Sequence, residues 1–174
     1  TTNTPEQVRY ITDHCDAKLA FADTEAQVDK YVAAADGMPK LEVVVQMLGK
    51  PKAAQQGRLK VLSWDELLEL GEKTPEAELE ARMAAQKPDD MCTLIYTSGT
   101  TGEPKAVMIT HTNLVWTAQA MSKALDFSQG EVTISYLPLS HIAEQMLSIH
   151  LPMGIGSLLY FAESLEKLGE ALQE

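Results

Sequence analysis

The sequence is short of several things, and each shortage narrows what the protein does. Lysine and arginine number 14 against 25 aspartates and glutamates, a formal net charge of −11. The basic residues are scattered, which argues against nucleic acid or an anionic membrane as a partner over most of the surface. No apolar run reaches the roughly 20 residues of a membrane span, and TTNTPEQVRY at the start lacks the apolar centre of a secretion signal. Cysteine is limited to Cys15 and Cys92, far apart and outside any CxxC. Each lies on an apolar pattern and reads as a small buried hydrophobe, in keeping with a reducing compartment. His14, His111, His141 and His150 show no metal-ligand spacing, so no zinc is assigned.

What remains is a 174-residue chain, 45% hydrophobic and 22% charged, enough for one domain with a core. There is no starting methionine and a helix signal comes at once. Both suggest a piece of something longer, although tag removal or processing gives the same start. Two stretches follow one another within a single partial domain, upstream αβ segments over 1–90 and a more regular core over 91–174.

Thr4-Pro5-Glu6-Gln7 predicts a capped helix with proline at its first position. LAFAD, 19–23, predicts a strand. Thr24 with Gln27 repeats the capping pattern for a helix that Gly37 stops. LEVVVQM, 41–47, predicts a buried strand, and 49–57 a loop. Ser63 with Glu66 caps a short helix to Gly71, and Thr74-Pro75 starts another running to about Gln86.

In the second half CTLIY, 92–96, and AVMI, 106–109, are strands too close for a helical crossover, so a hairpin joins them. Thr110 caps a helix with Leu114, Ala118, Met121 and Leu125 on one face. VTISYLP, 132–138, is a third strand. Ser140 caps a helix bearing Ile142, Met146 and Ile149. SLLYF, 157–161, is a fourth strand before a last helix. The alternation predicts an α/β fold with a mostly parallel sheet flanked by helices.

The hairpin loop is the unusual part. In YTSGTTGEPK, Gly99 and Gly102 let the backbone turn sharply and aim successive amides into one concavity. Thr97, Ser98, Thr100 and Thr101 add hydroxyls, Lys105 adds a cation, and Pro104 limits how far the loop wanders. That combination suits a polyphosphate. It is neither a Walker P-loop nor a nucleophile elbow. Glycine and threonine are common in turns, so composition alone leaves a plain polar turn open.

The ordered run Tyr96 to Lys105 resembles the phosphate loop of the adenylate-forming, acyl-activating enzymes. YLPLSHIAE, 136–144, resembles their second core motif in the form seen in long-chain fatty acyl-CoA synthetases, and residues 4–23 resemble an upstream helix and strand. The likeness is specific from about Met91 to His141. It implies a ligase that uses ATP to adenylate a carboxylic acid and then passes the acyl group to coenzyme A. It implies that Thr97, Ser98, Gly99, Thr100, Thr101, Gly102 and Lys105 hold the ATP phosphates. It places Thr97 near the Mg²⁺ on ATP and His141 near the acyl carboxylate and adenylate; a histidine beginning a helix is otherwise more often structural.

Two positions depart from the pattern: Ala106 stands where glycine is usual, and Gln145 where long-chain relatives carry arginine. The family's later adenine-, ribose- and lysine-bearing elements are not in this stretch. The expectation is therefore an incomplete part of a larger N-terminal domain, with the C-terminal domain absent and no complete reaction by this piece alone. A truncated relative that keeps the fold as a binding or structural module remains the alternative. The resemblance also implies fatty acid, ATP and coenzyme A as small-molecule partners. A cytoplasmic site follows from it, with peripheral membrane association of the parent left open. Uncovered sheet edges predict self-association of the piece by itself.

Overall fold

The computed structural model describes residues 3–97, 103–162, 164 and 166–171. The chain forms two compact units, Thr1–Ala85 and Gln86–Glu174.

The first unit opens with α1 (Pro5–His14), whose capping box is formed as expected: the Thr4 hydroxyl accepts from Gln7 N at 3.3 Å and Thr4 N donates to Gln7 Oε1 at 3.0 Å. β1 (Leu19–Ala22), α2 (Glu25–Ala33), β2 (Val43–Gln46), β3 (Gln55–Gln56), β4 (Leu59–Ser63), α3 (Trp64–Glu72) and α4 (Glu76–Ala84) follow. The strands form one sheet in the order β1-β2-β4-β3, with β1, β2 and β4 parallel and β3 antiparallel to β4. Central β2 reads as a near-continuous apolar run because both faces are covered. Val44 joins Ala20, Ala22, Leu59 and Val61 in a core closed by Val28 of α2, Met38 and Leu41. Val45 and Leu62, one residue out of phase and so on the opposite face, are also buried. Phe21, in register with Val45, leans on Trp64 of α3 with ring centroids 6.2 Å apart.

Three expectations change here. β4 was not read from the sequence. The cap at Thr24 is not formed: its amide and hydroxyl both donate to Asp23 Oδ1, at 2.8 and 3.4 Å. Helix α2 ends at Ala33, and Gly37 instead closes a 3₁₀ turn, Ala35–Gly37, without adopting a left-handed backbone.

The second unit begins with the antiparallel hairpin of β5 (Met91–Thr97) and β6 (Lys105–Thr110). Helix α5 (His111–Ala124) is capped by Thr110, whose hydroxyl accepts from Asn113 N at 3.2 Å. β7 (Val132–Ser135) leads to α6 (Ile142–Gln145), a π-helical turn (Met146–His150) and α7 (Leu151–Ile155). Pro152 has no N–H to continue an α-helical ladder, which accounts for the wider turn before it. Gly156, at φ 73°, ends α7 in the left-handed conformation that glycine takes without strain. β8 (Leu158–Phe161) pairs parallel with β7, and α8 (Leu168–Ala171) comes last. Among the described residues the strands thus divide among three sheets, rather than one. Cys92 is exposed and Cys15 half-buried, so neither is the fully buried hydrophobe expected. No described helix is long and apolar enough to cross a membrane.

Candidate functional site

The β5–β6 ladder runs Thr93↔Ile109, Leu94↔Met108, Ile95↔Val107, Tyr96↔Ala106 and Thr97↔Lys105. Its last pair sets Thr97 and Lys105 opposite one another, both exposed, at the base of the connecting loop. Ser98, Gly99, Thr100, Thr101 and Gly102, the rest of the expected phosphate cradle, lie outside the described residues. Ala106 sits within β6 opposite Tyr96 and is not among the positive-φ residues. Its Cβ therefore occupies ordinary extended backbone, and a glycine is not required there.

The second motif runs from the end of β7 into α6. Ser140 was expected to cap this helix, but the N-cap is His141, whose Nδ1 accepts from Ala143 N at 3.3 Å. An accepting Nδ1 carries no proton, so the neutral ring keeps its proton on Nε2 and offers it as a donor. The His141 amide donates to the Pro138 carbonyl at 2.9 Å and closes a tight turn.

Glu144 closes the second motif, and the sequence assigns it no role. It is 2% exposed. Its Oε1 accepts from Ser135 Oγ at 2.6 Å, Ser148 Oγ at 2.7 Å and Tyr136 N at 3.2 Å. Burial alone would raise its pKa, but the serine hydroxyls and the amides of Tyr136 and Leu137 outweigh it and hold the carboxyl below its ordinary value. A signal was present: a carboxylate between the apolar positions 142 and 146, with a serine four residues on to satisfy it. Gln145 donates from Nε2 to the Leu139 carbonyl at 2.7 Å. Nearby, burial pushes the His150 imidazole below its usual value.

One core ties the two motifs together. Leu114 and Ala118 of α5 pack with Met146, and against this cluster lie Ile109 of β6 and Ile142 of α6. The strand that starts at Lys105 and the helix that His141 caps are therefore anchored on the same face of α5. Among the described residues no group of three His, Cys, Asp or Glu side chains is placed to hold a metal ion.

A family model described as AMP-binding enzyme matches residues 1–173. The chain is 39% identical over 167 residues to the long-chain-fatty-acid–CoA ligase ACSBG2 of Xenopus laevis, covering 94% of this chain and 22% of that protein. It is 40% identical over 167 residues to ACSBG1 of Bos taurus, covering 94% and 23%. The chain thus spans less than a quarter of the length of these curated relatives. A crystal structure of the anthranilate CoA ligase AuaEII in complex with anthranoyl-AMP matches with a TM-score of 0.79 and 25% identity, over 99% of this chain and 31% of that one.

Proposed function

Because this chain belongs to the AMP-binding enzyme family, we propose that it is part of an acid–thiol ligase that activates a long-chain fatty acid with ATP and transfers it to coenzyme A. The long-chain fatty acid is proposed by likeness to the ACSBG1 and ACSBG2 relatives, which are long-chain-fatty-acid–CoA ligases. The observation that carries the reading is the β5–β6 hairpin, whose final pair sets Thr97 opposite Lys105 at the two ends of the sequence Ser-Gly-Thr-Thr-Gly-Glu-Pro.

In the proposed first step a carboxylate oxygen attacks the α-phosphorus of ATP. The bond from that phosphorus to the bridging oxygen breaks, and pyrophosphate leaves. Thr97, Ser98, Gly99, Thr100, Thr101 and Gly102 are the residues proposed to hold the departing β- and γ-phosphates. Lys105 supplies a point cation for the same charge. Such a step depends on positioning and charge stabilisation more than on covalent help from the protein. Mg²⁺, when bound, screens the triphosphate, with the Thr97 hydroxyl as the nearby protein oxygen. His141 offers Nε2–H to the acyl carboxylate and then to the adenylate. In the second step the sulfur of coenzyme A attacks the acyl carbonyl and AMP leaves. The proposed setting is cytoplasmic.

The test is fatty-acid-dependent exchange of labelled pyrophosphate into ATP by the intact protein. Exchange is expected with a long-chain acid, and Lys105→Ala lowers it by about a hundredfold or more, as for the loss of one preorganised donor. No exchange with any acid of a panel of chain lengths would overturn the proposal.

A further inference from the structure

The segment joining β7 to α6, residues 136–141, ends in His141, and two consecutive side chains of α6 reach back to hold it. Glu144 accepts from the Tyr136 amide at the strand's end and from the hydroxyls of Ser135 and Ser148. Gln145 donates to the Leu139 carbonyl farther along. A carboxylate collects donors at one end of the segment, and a primary amide satisfies an acceptor at the other. A buried carboxylate costs free energy unless its acceptor capacity is filled, and an apolar side chain would fit this helix face without that cost. The group is therefore best understood by what it holds.

We propose that Glu144 and Gln145 are positioning residues for His141. Together they fix segment 136–141 so that the imidazole, its Nδ1 committed to the Ala143 amide, presents Nε2–H to the acyl group. The inference rests on the ligase reading above. It also gives Gln145 a role that needs no charge: the amide secures the Leu139 carbonyl.

The experiment uses the intact protein and two readouts. The first is KM for fatty acid and for ATP in pyrophosphate exchange; the second is hydrogen–deuterium exchange of the peptide spanning 136–141. Glu144→Ala and Gln145→Ala each raise the fatty acid KM by about tenfold and leave the ATP KM within about twofold, the split expected when one substrate's contact is misplaced. Both variants speed exchange in the 136–141 peptide. Glu144→Gln keeps an oxygen acceptor at the Oε1 position and recovers most of the wild-type behaviour. Leu151→Ala, a fully buried residue outside the clamp, lowers the melting temperature without moving the fatty acid KM. Fatty acid and ATP KM rising together, the same profile from Leu151→Ala, or unchanged exchange in Glu144→Ala would each overturn the inference. An inactive wild type sinks the ligase reading instead, and hydrogen exchange then decides on the clamp by itself.

Discussion

Glu144 is a side chain whose charge has a thermodynamic consequence independent of catalysis. Its folded pKa lies below the ordinary carboxyl value because hydrogen bonds overcome burial. The unfolded chain therefore takes up a proton more readily than the folded one. The stabilisation is present above the unfolded value, near pH 4.5, and is lost as pH falls through the folded value. Glu144→Gln is expected to flatten the fall in stability between about pH 6 and pH 3, read as urea midpoints at each pH. Glu6 and Glu66 are exposed, are lowered by hydrogen bonds of their own and remain in the variant, so the difference between the two curves isolates Glu144. A pair of parallel curves would show that the carboxylate charge is not what holds this bond set. Some single-residue roles had no trace in the sequence. Arg58 lies just before β4, yet its guanidinium donates to the carbonyls of Ala35, Met38 and Leu41 and so satisfies the acceptors left after α2. Partners about 20 residues away in sequence carry no local pattern, and only the folded chain brings them together.

At the scale of elements, two stretches with the same local signature fold differently. Ser63 with Glu66 forms the full capping box: Glu66 N donates to Ser63 Oγ at 3.2 Å, and Ser63 N donates to Glu66 Oε2 at 2.7 Å. Thr24 with Gln27 reads alike, but the carboxylate of Asp23 takes both the amide and the hydroxyl of Thr24. A neighbouring acceptor that sits closer wins the donor, which a spacing rule does not register. Ser63→Ala should therefore cost about 1 kcal/mol, and Thr24→Ala clearly less. Chemical denaturation of the two variants measures this, and equal losses would show that the cap bond at Ser63 contributes nothing. Long periodic elements were legible for the opposite reason. The stripe of α5 is decided by one face of one helix, and the structure packs Leu114, Ala118 and Met121 as expected, but Leu125, expected on the same face, is the C-cap residue and is exposed. The β5–β6 hairpin was legible from a connection too short for any crossover. β4 was missed because LKVLS runs straight into a strong helix cap, and its partner β2 lies across the loop and β3. The left-out part of the candidate site has a similar cause. Thr97, Lys105 and His141 stood in ordered motifs, whereas Glu144 and Gln145 act through backbone groups that no motif names.

For the chain as a whole, the two units differ in how much core each holds. The first has a cluster of nine buried residues drawn from three strands, a helix and the turn between them, under a four-stranded sheet. Among the described residues, the second has a cluster of three buried residues, two sheets of two strands each, and apolar side chains such as Phe161 and Met153 exposed at 68% and 79%. A two-stranded sheet is marginal in water, and its open edges and uncovered faces invite another chain. Residues 1–85 produced alone are therefore expected to be monomeric and to unfold cooperatively in urea. Residues 86–174 alone are expected to associate and to bind a hydrophobic dye, and the association should carry over to residues 1–174 expressed as one piece. Light scattering after size exclusion separates the cases. A monomeric 86–174 with a sharp, dye-free unfolding transition would mean that its three-residue cluster suffices, and that the exposed β7–β8 face needs no cover.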